Sequence, residues 1–144
     1  MKNALVILAG GIGSRFDNKV PKQFKKFNNH NFIEYFLRNI TVDNFNIIAI
    51  ACEEKFKKKH LIGIEKLLPG VKLIFAKPGK TRQESSFKAL HKIKKFKPVN
   101  VLIHDAARPL CSDRLINKIM STLSKNQSAI PYILNNDKKL SPHN

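Results

Sequence analysis

A short apolar run near the N-terminus ends abruptly in glycines, and this break constrains the fold more than any other feature of the chain. Residues 4–8 have the length and the unbroken apolar character of a buried strand. The loop AGGIGSR follows directly, at residues 9–15. Glycine lets a backbone approach a ligand closely, and converging loop N–H groups form an anion site. The sequence therefore predicts a phosphate site where the first strand ends.

Two cations follow this loop, Arg15 and Lys22. Beside a polyphosphate they would neutralise charge that develops at the reacting phosphorus, and solvated surface positions are the alternative interpretation of both. Two common phosphate loops are excluded. The dinucleotide fingerprint requires glycine where the chain has Phe16, and a Walker A loop ending at Gly79 would require glycine in place of Ile74.

Strands and helices are predicted to alternate along the rest of the chain. Asn31, Thr81 and Ser112 have the side chains of helix N-caps. In a parallel sheet covered by helices on both faces, ligands bind at the carboxyl ends of the strands. The loops after residues 8, 75 and 103 should therefore meet. The apolar pattern predicts strands over 45–52, 71–75, 99–103 and 128–134, and helices over 32–40, 53–68, 82–95 and 113–124.

Length and cysteine content narrow the class of protein. A chain of 144 residues has the size of one domain, which we place at residues 1–144. It has no apolar run of membrane-spanning length and no signal-peptide layout. Cys52 and Cys111 are its two cysteines, and they lack a metal-ligand spacing. We therefore expect a cytoplasmic protein with reduced thiols and no membrane partner.

The net charge of +17 indicates an anionic ligand, because the chain has 27 Lys and Arg residues against 10 Asp and Glu. Nucleic acid is one candidate partner. However, the lysines are dispersed over predicted helix faces and loops, without an aromatic RNA-binding motif or a helix-turn-helix pattern. We therefore expect either a field that attracts small anionic molecules or merely a lysine-rich composition, and nucleic-acid binding is the alternative that rests on charge alone.

Four motifs, LAGGIGSRF, PKQF, GKTRQES and HDAARP, resemble in order and spacing those of the polyol-phosphate cytidylyltransferases. The chain is most similar to the 2-C-methyl-D-erythritol 4-phosphate cytidylyltransferase family, with ribitol-5-phosphate cytidylyltransferases as near relatives, over residues 2–131. The resemblance implies a Rossmann-like nucleotidyltransferase fold, a three-layer α/β sandwich with a mostly parallel sheet. It also implies CTP and a polyol phosphate as substrates, Mg²⁺ as cofactor, pyrophosphate release and a place in isoprenoid precursor biosynthesis.

The same resemblance assigns roles to individual residues. Arg15 and Lys22 match the catalytic cations, and Asp105 matches the acidic residue near the ribose and the metal. The matching nucleotide-binding positions are Ala9, Gly10, Gly11 and Gly13 at the triphosphate, Gly79, Arg82 and Ser85 in the motif that contacts cytosine, and Asp105 with Ala106 beside it.

Local patterns keep other interpretations of these residues open. Asp105 could cap a loop, and Ser85 could be an ordinary polar residue of a helix's first turn. His104 is expected to be structural, since an ionised phosphate nucleophile needs no general base. Arg108 is expected to brace the loop by pairing with Asp105 or another carboxylate.

The chain departs from the family's pattern after residue 131. Asn135 occupies the place expected for a threonine, and no counterpart precedes Asn144 for the dimerisation arm, the partner-subunit arginine or a late lysine. We therefore expect a C-terminally truncated family domain that keeps the CTP half of the site, without the arm of the family's homodimer. The alternative functions are a ribitol-5-phosphate cytidylyltransferase and a CTP-binding module with little turnover.

Overall fold

Strands and helices alternate along the chain in the computed structural model, which describes residues 2–11 and 19–132. The strands are β1 (Asn3–Leu8), β2 (Lys26–Phe27), β3 (His30–Asn31), β4 (Ile47–Ala51), β5 (Lys72–Ala76) and β6 (Asn100–Asp105). The helices are α1 (Phe32–Arg38), α2 (Glu54–His60), α3 (Arg82–Ile93) and α4 (Asp113–Leu123). Short 3₁₀ helices add single turns at Lys22–Phe24, Val42–Asn44, Ile64–Leu67 and Lys94–Phe96.

Four of these strands form a parallel sheet in the order β5-β4-β1-β6, and β2 pairs with β3 in a separate antiparallel hairpin. Leu8 at the end of β1 pairs with Ala51 of β4 and with Asp105 of β6, and Ala51 pairs with Ala76 of β5. The four strands therefore end level with one another. The segments that leave them start from one edge of the sheet, as the sequence predicts.

Apolar side chains cover both faces of this sheet, because its strands are sandwiched between helices. On one face Ile7 belongs to a buried cluster that includes Phe36 of α1 and Ile116 of α4. On the other face Val6 belongs to a cluster that includes Ala89 of α3. Burial on both faces explains why the strands are continuous apolar runs instead of alternating ones. The three-layer, mostly parallel α/β sandwich is confirmed.

The predicted N-caps begin three of the helices. Asn31 Oδ1 accepts a hydrogen bond from the Glu34 N–H, and the Glu34 carboxylate accepts one from the Asn31 N–H, both at 3.0 Å. Thr81 Oγ1 accepts from the Glu84 N–H at 3.1 Å, and Ser112 Oγ accepts from the N–H three residues on at 3.2 Å. These bonds satisfy N–H groups that have no partner within a helix. Local sequence therefore sets where α1, α3 and α4 begin.

The predicted helix over 53–68 is wrong in its second half. Helix α2 ends at His60, and the chain then turns through Gly63, whose φ of +78° lies in the left-handed region. That conformation does not continue a helix, and glycine adopts it without a steric cost. One 3₁₀ turn follows, Ile64–Leu67, and buries the apolar Ile64 that suggested a longer helix.

The predicted strand over 128–134 is also wrong within the described residues, since 128–132 form no strand. Ile130 and Tyr132 are 85% and 81% exposed, and Pro131 has no N–H to donate to a neighbouring strand. Residues 133–134 lie outside the described residues. The other predicted strands and helices differ from the observed ones by at most two residues at either end.

Cys52 and Cys111 are both free thiols in the structure. Burial raises the pKa of Cys52 to about 11 and also raises the pKa of Cys111, so both thiols are protonated at neutral pH. Within residues 2–11 and 19–132, no helix has the length and apolar character that crossing a bilayer requires.

Candidate functional site

Loops from three strands enclose one cleft at the carboxyl edge of the sheet. They are the loop after β1, the loop between β5 and α3, and the loop after β6. The cleft has a volume of about 410 Å³ and is partly open to solvent. Its lining residues are Leu8, Gly10, Gly11, Gln23, Gly79, Lys80, Thr81, Arg82, Ser85, Asp105, Ala107 and Arg108. The sequence-based expectation that these three loops meet is confirmed.

The glycine loop divides into a residue held by the sheet and two residues that face the cleft. The Ala9 N–H donates to the Ala51 carbonyl at 2.8 Å, which extends the β1–β4 pairing by one residue. This N–H is therefore engaged and is not free to contact a phosphate. The N–H groups of Gly10 and Gly11 have no hydrogen-bond partner among the described residues. Gly13 and Arg15 lie outside the described residues.

Gly10 also sets how closely the first loop approaches the second. A Cβ on Gly10 would lie 2.3 Å from Cβ of Pro78, whereas a Cβ on Gly11 would meet no atom of the described residues within 4 Å. Only a residue without a side chain fits between β1 and Pro78. Gly10 is thus required by packing, whereas no described residue limits the space at Gly11.

The second loop is held by the first turn of α3. Ser85 Oγ accepts a hydrogen bond from the Gly79 N–H at 2.9 Å and donates one to the Thr81 carbonyl at 3.0 Å. The Glu84 carboxylate accepts from the Lys80 N–H at 2.8 Å, and its side chain occupies the space of a Cβ on Gly79. The Ser85 hydroxyl therefore shapes this loop. Contact between this pair and a cytosine base stays a prediction.

Asp105 carries the carboxylate that lines the cleft, and two arginines flank it. Arg82 Nε lies 2.9 Å from Asp105 Oδ1, and Arg108 Nε lies 3.8 Å from Asp105 Oδ2. The expected pairing of Arg108 with Asp105 is confirmed. Both guanidinium groups are more than half exposed, so the pairs position the side chains more than they stabilise the fold. Ala106 is buried, and its N–H donates to the Leu8 carbonyl at 2.9 Å.

Lys22 does not line the cleft that the glycine loop borders. Its exposed side chain lines a neighbouring cleft of about 490 Å³, which shares Ala107 and Arg108 with the first one. The local geometry explains this position. Lys22 begins a 3₁₀ turn in which successive side chains point about 120° apart, and the next residue, Gln23, is the one that faces the glycine loop.

Gln23 is a site residue to which the sequence assigned no role. It is 95% buried, with 5% of its surface exposed. Its Nε2 donates to the carbonyls of Ala9 and Gly11 at 3.0 and 2.7 Å. The sequence contained little evidence for such a role, because a glutamine between a lysine and a phenylalanine is typical of many amphipathic turns. Only its place in the PKQF motif marked it.

His104 is structural, as expected. Its ring stacks on Phe36 with a centroid distance of 3.9 Å, and it does not line the cleft of the glycine loop. Burial lowers the pKa of His104 below its ordinary value of 6.5, so the imidazole is neutral at pH 7. Among the described residues its buried Nε2 has no hydrogen-bond partner. A neutral, stacked ring suits packing between β6 and α1.

The donor set suits a metal ion that arrives with a phosphate ligand. In the part of the chain that the structure describes, no group of three or more His, Cys, Asp or Glu side chains could hold a metal ion alone. Asp105 supplies one carboxylate at the cleft. Mg²⁺ commonly binds through one or two carboxylates together with substrate phosphates and waters, so Asp105 fits that mode.

The fold is that of an α/β domain of the nucleotidyltransferase type, with the cleft at the carboxyl edge of its parallel sheet. Among solved structures, the bifunctional IspDF of Campylobacter jejuni is similar, with a TM-score of 0.66 and 28% sequence identity over 87% of this chain and 31% of that chain. The chain belongs to the 2-C-methyl-D-erythritol 4-phosphate cytidylyltransferase (IspD) family, whose model matches residues 3–138.

Two curated relatives show how much of a family protein this chain represents. It is 38% identical over 135 residues to the bifunctional enzyme IspD/IspF of Pelagibacter ubique, a match that covers 92% of this chain and 35% of the relative. It is 36% identical over 135 residues to the ribitol-5-phosphate cytidylyltransferase of Vibrio parahaemolyticus, covering 89% of this chain and 56% of the relative. The chain thus spans between a third and somewhat over half of these relatives.

The close approach of Gly10 to Pro78 gives a prediction about stability. Gly10→Ala should destabilise the fold by about 1–3 kcal/mol, because the added methyl overpacks the contact between two loops. Gly11→Ala is the matched control and should change the free energy of unfolding by less than about 1 kcal/mol, since its methyl would contact no described residue. Urea unfolding of both variants measures the difference. Equal losses in the two variants would contradict the packing argument.

The buried imidazole of His104 gives a prediction about pH. Its pKa is lower in the folded state than in the unfolded state, so its contribution to stability is present above the unfolded pKa. That contribution is lost as the pH falls from about 6.5 towards the folded value. His104→Phe keeps a ring on Phe36 and should flatten the fall in stability between pH 7 and 5.

Urea unfolding at several pH values measures this slope. Burial also lowers the pKa of His60, so part of the slope should persist in His104→Phe. His91→Phe, which changes an exposed histidine of α3, serves as the control and should keep the full slope. An unchanged slope in His104→Phe would show that His104 does not contribute to acid sensitivity.

Proposed function

We propose that this protein transfers CMP from CTP to 2-C-methyl-D-erythritol 4-phosphate and releases pyrophosphate. The observation that carries the proposal is the convergence of the glycine loop, the Gly79–Ser85 loop and the Asp105 turn on one cleft. Membership of the IspD family supports the choice of nucleotide and polyol. The high positive charge supports it as well, because both substrates are phosphate esters.

The proposed reaction needs positioning and charge neutralisation more than covalent chemistry. A phosphate oxygen of the polyol phosphate attacks the α-phosphorus of CTP, the bond to the bridging oxygen breaks, and pyrophosphate leaves. The N–H groups of Gly10 and Gly11 are available to the triphosphate. Arg15, and Lys22 from the neighbouring cleft, supply positive charge at the α-phosphorus, where negative charge increases in the transition state. No general base is needed, because the attacking phosphate is already ionised.

Mg²⁺ is part of the same proposal. When bound, it would neutralise charge on the triphosphate, and Asp105 is the residue that would hold it. Arg82 Nε donates a hydrogen bond to one oxygen of that carboxylate, and Arg108 Nε lies 3.8 Å from the other. They keep Asp105 oriented towards the cleft and offer two further cations to an incoming anion.

Ribitol 5-phosphate is the second candidate acceptor. A curated ribitol-5-phosphate cytidylyltransferase is 36% identical to this chain, close to the 38% of the bifunctional IspD/IspF relative. The two acceptors share a phosphate on a short polyol. The cleft residues that face the nucleotide do not distinguish between them, so the acceptor must be tested directly.

The test is pyrophosphate release from CTP and Mg²⁺ with each polyol phosphate in turn. We expect release with 2-C-methyl-D-erythritol 4-phosphate, and little release when CTP is replaced by another nucleoside triphosphate. Calorimetric titration with CTP runs in parallel. Binding of CTP without product from either acceptor would overturn the transferase proposal in favour of a CTP-binding module. Salt-sensitive oligonucleotide binding that CTP does not compete with would favour a nucleic-acid partner.

Lys22 provides the prediction at the level of one residue. Lys22→Ala should lower kcat by about 10²–10³-fold, because a cation that acts on transition-state charge is removed. Dissociation of CTP should change far less, since the role is confined to the transition state. Its matched control is Lys66→Ala, which removes an exposed lysine from another 3₁₀ turn, Ile64–Leu67.

Steady-state kinetics of both variants, with thermal unfolding as a check on folding, separate the outcomes. Arg15→Ala should behave like Lys22→Ala. Equal losses in the Lys22 and Lys66 variants would indicate a general effect of positive charge. Normal turnover in Lys22→Ala would remove it from the mechanism.

A further inference from the structure

Among the described residues, Gln23 and Ser85 are the two buried polar side chains that line the cleft of the glycine loop, and Gln23 contacts that loop at two points. Its amide nitrogen lies 3.0 Å from the Ala9 carbonyl oxygen and 2.7 Å from the Gly11 carbonyl oxygen. A side-chain NH₂ has two protons, and both are used here. Gln23 therefore fixes the Ala9–Gly10 peptide group, which carries the Gly10 N–H, and also the carbonyl of Gly11.

These two hydrogen bonds determine which backbone groups a bound anion would contact. Carbonyl oxygens repel a polyphosphate, whereas N–H groups attract it. The Gln23 amide holds the carbonyls of Ala9 and Gly11 in defined directions and compensates their partial negative charge. The N–H groups of Gly10 and Gly11 are then free of internal partners among the described residues. Residues 9–11 are thus held in place before any ligand binds, which lowers the entropic cost of binding.

The main chain around Gln23 is itself anchored. The next residue, Phe24, is 1% exposed and stacks with Phe56 and His60 at centroid distances of 5.1 and 5.3 Å. The preceding residue is Lys22, the proposed catalytic cation. Gln23 therefore joins the glycine loop to the 3₁₀ turn Lys22–Phe24, and the aromatic stack joins that turn to α2.

We propose that Gln23 is a positioning residue that sets the distance between the phosphate-binding N–H groups and Lys22. Gln23 itself does not contact the reacting atoms. It holds the two groups that contact them, the loop N–H groups and Lys22, at a fixed distance from each other. The inference rests on the proposed function, because it concerns how this site binds and uses CTP. It adds a specific role for a buried amide that connects two separate motifs.

The test uses Gln23→Met, which keeps the length and volume of the side chain and removes both donors. We expect a loss of about tenfold or more in CTP affinity, the scale expected when buried carbonyls lose their hydrogen-bond donors. The KM for the polyol phosphate should stay within about twofold. The value of kcat should fall as well, because Lys22 is no longer held at a fixed distance from the glycine loop. Gln83→Met makes the same change on the exposed surface of α3 and is the control.

A readout on the unaltered protein covers the case in which Gln23→Met does not fold. In ¹⁵N NMR spectra, CTP or inorganic tripolyphosphate should shift the side-chain NH₂ signals of Gln23 together with the backbone signals of Gly10 and Gly11. Cytidine alone should leave the Gln23 signals in place. Shifts of the glycine signals without any change at Gln23 would overturn the inference.

The outcomes separate this inference from the function on which it rests. If the unaltered protein does not bind CTP, the proposed function fails and the role of Gln23 fails with it. If it binds CTP and Gln23→Met binds equally well, only the inference fails. A folded Gln23→Met that loses affinity for CTP and polyol phosphate to the same extent would show a general structural role, which also contradicts the proposal.

Discussion

Backbone pairing that continues one residue beyond the strands is the interaction on which the site depends. The Ala9 N–H donates to the Ala51 carbonyl, the Cys52 N–H to the Ala76 carbonyl, and the Ala106 N–H to the Leu8 carbonyl, at 2.8–3.1 Å. Parallel strands that end level can share such bonds only if their loops leave from the same edge. The sheet therefore fixes where all three loops begin, independently of the contacts between the loops. Ligands bind at this edge in open α/β sheets for the same reason.

Contacts between the loops then fix the shape of the cleft. Gly10 lets β1 approach Pro78, Ser85 holds the Gly79 N–H, and Gln23 holds the carbonyls beside Gly10. The bonds of Ser85 and Gln23 engage backbone groups that would otherwise face a ligand, so few N–H groups of the described loop residues stay without a partner. The flanking arginines neutralise Asp105 until an anion arrives. The result is a preformed site with net positive charge, which suits a triphosphate.

Much of this arrangement could be predicted from the sequence, and the exceptions have physical causes. Continuous apolar runs indicated a doubly covered parallel sheet, and cap residues located the starts of α1, α3 and α4. The long helix over 53–68 was wrong because one left-handed glycine, Gly63, outweighs favourable helical spacing. The side-chain direction of Lys22 and the two bonds of Gln23 depend on a single 3₁₀ turn, whose geometry a sequence pattern does not specify. The Ser85 hydroxyl both accepts and donates a hydrogen bond within its own loop, and the sequence does not specify these two bonds.

A structure of the complex with CTP tests the central claim most directly, namely that the loop after β1 receives the triphosphate. The account predicts phosphate oxygens within hydrogen-bond distance of the Gly10 and Gly11 N–H groups, with Lys22 and Arg15 next to the α-phosphate. A triphosphate bound elsewhere, for example on the lysine-rich surface around Lys92 and Lys95, would contradict it.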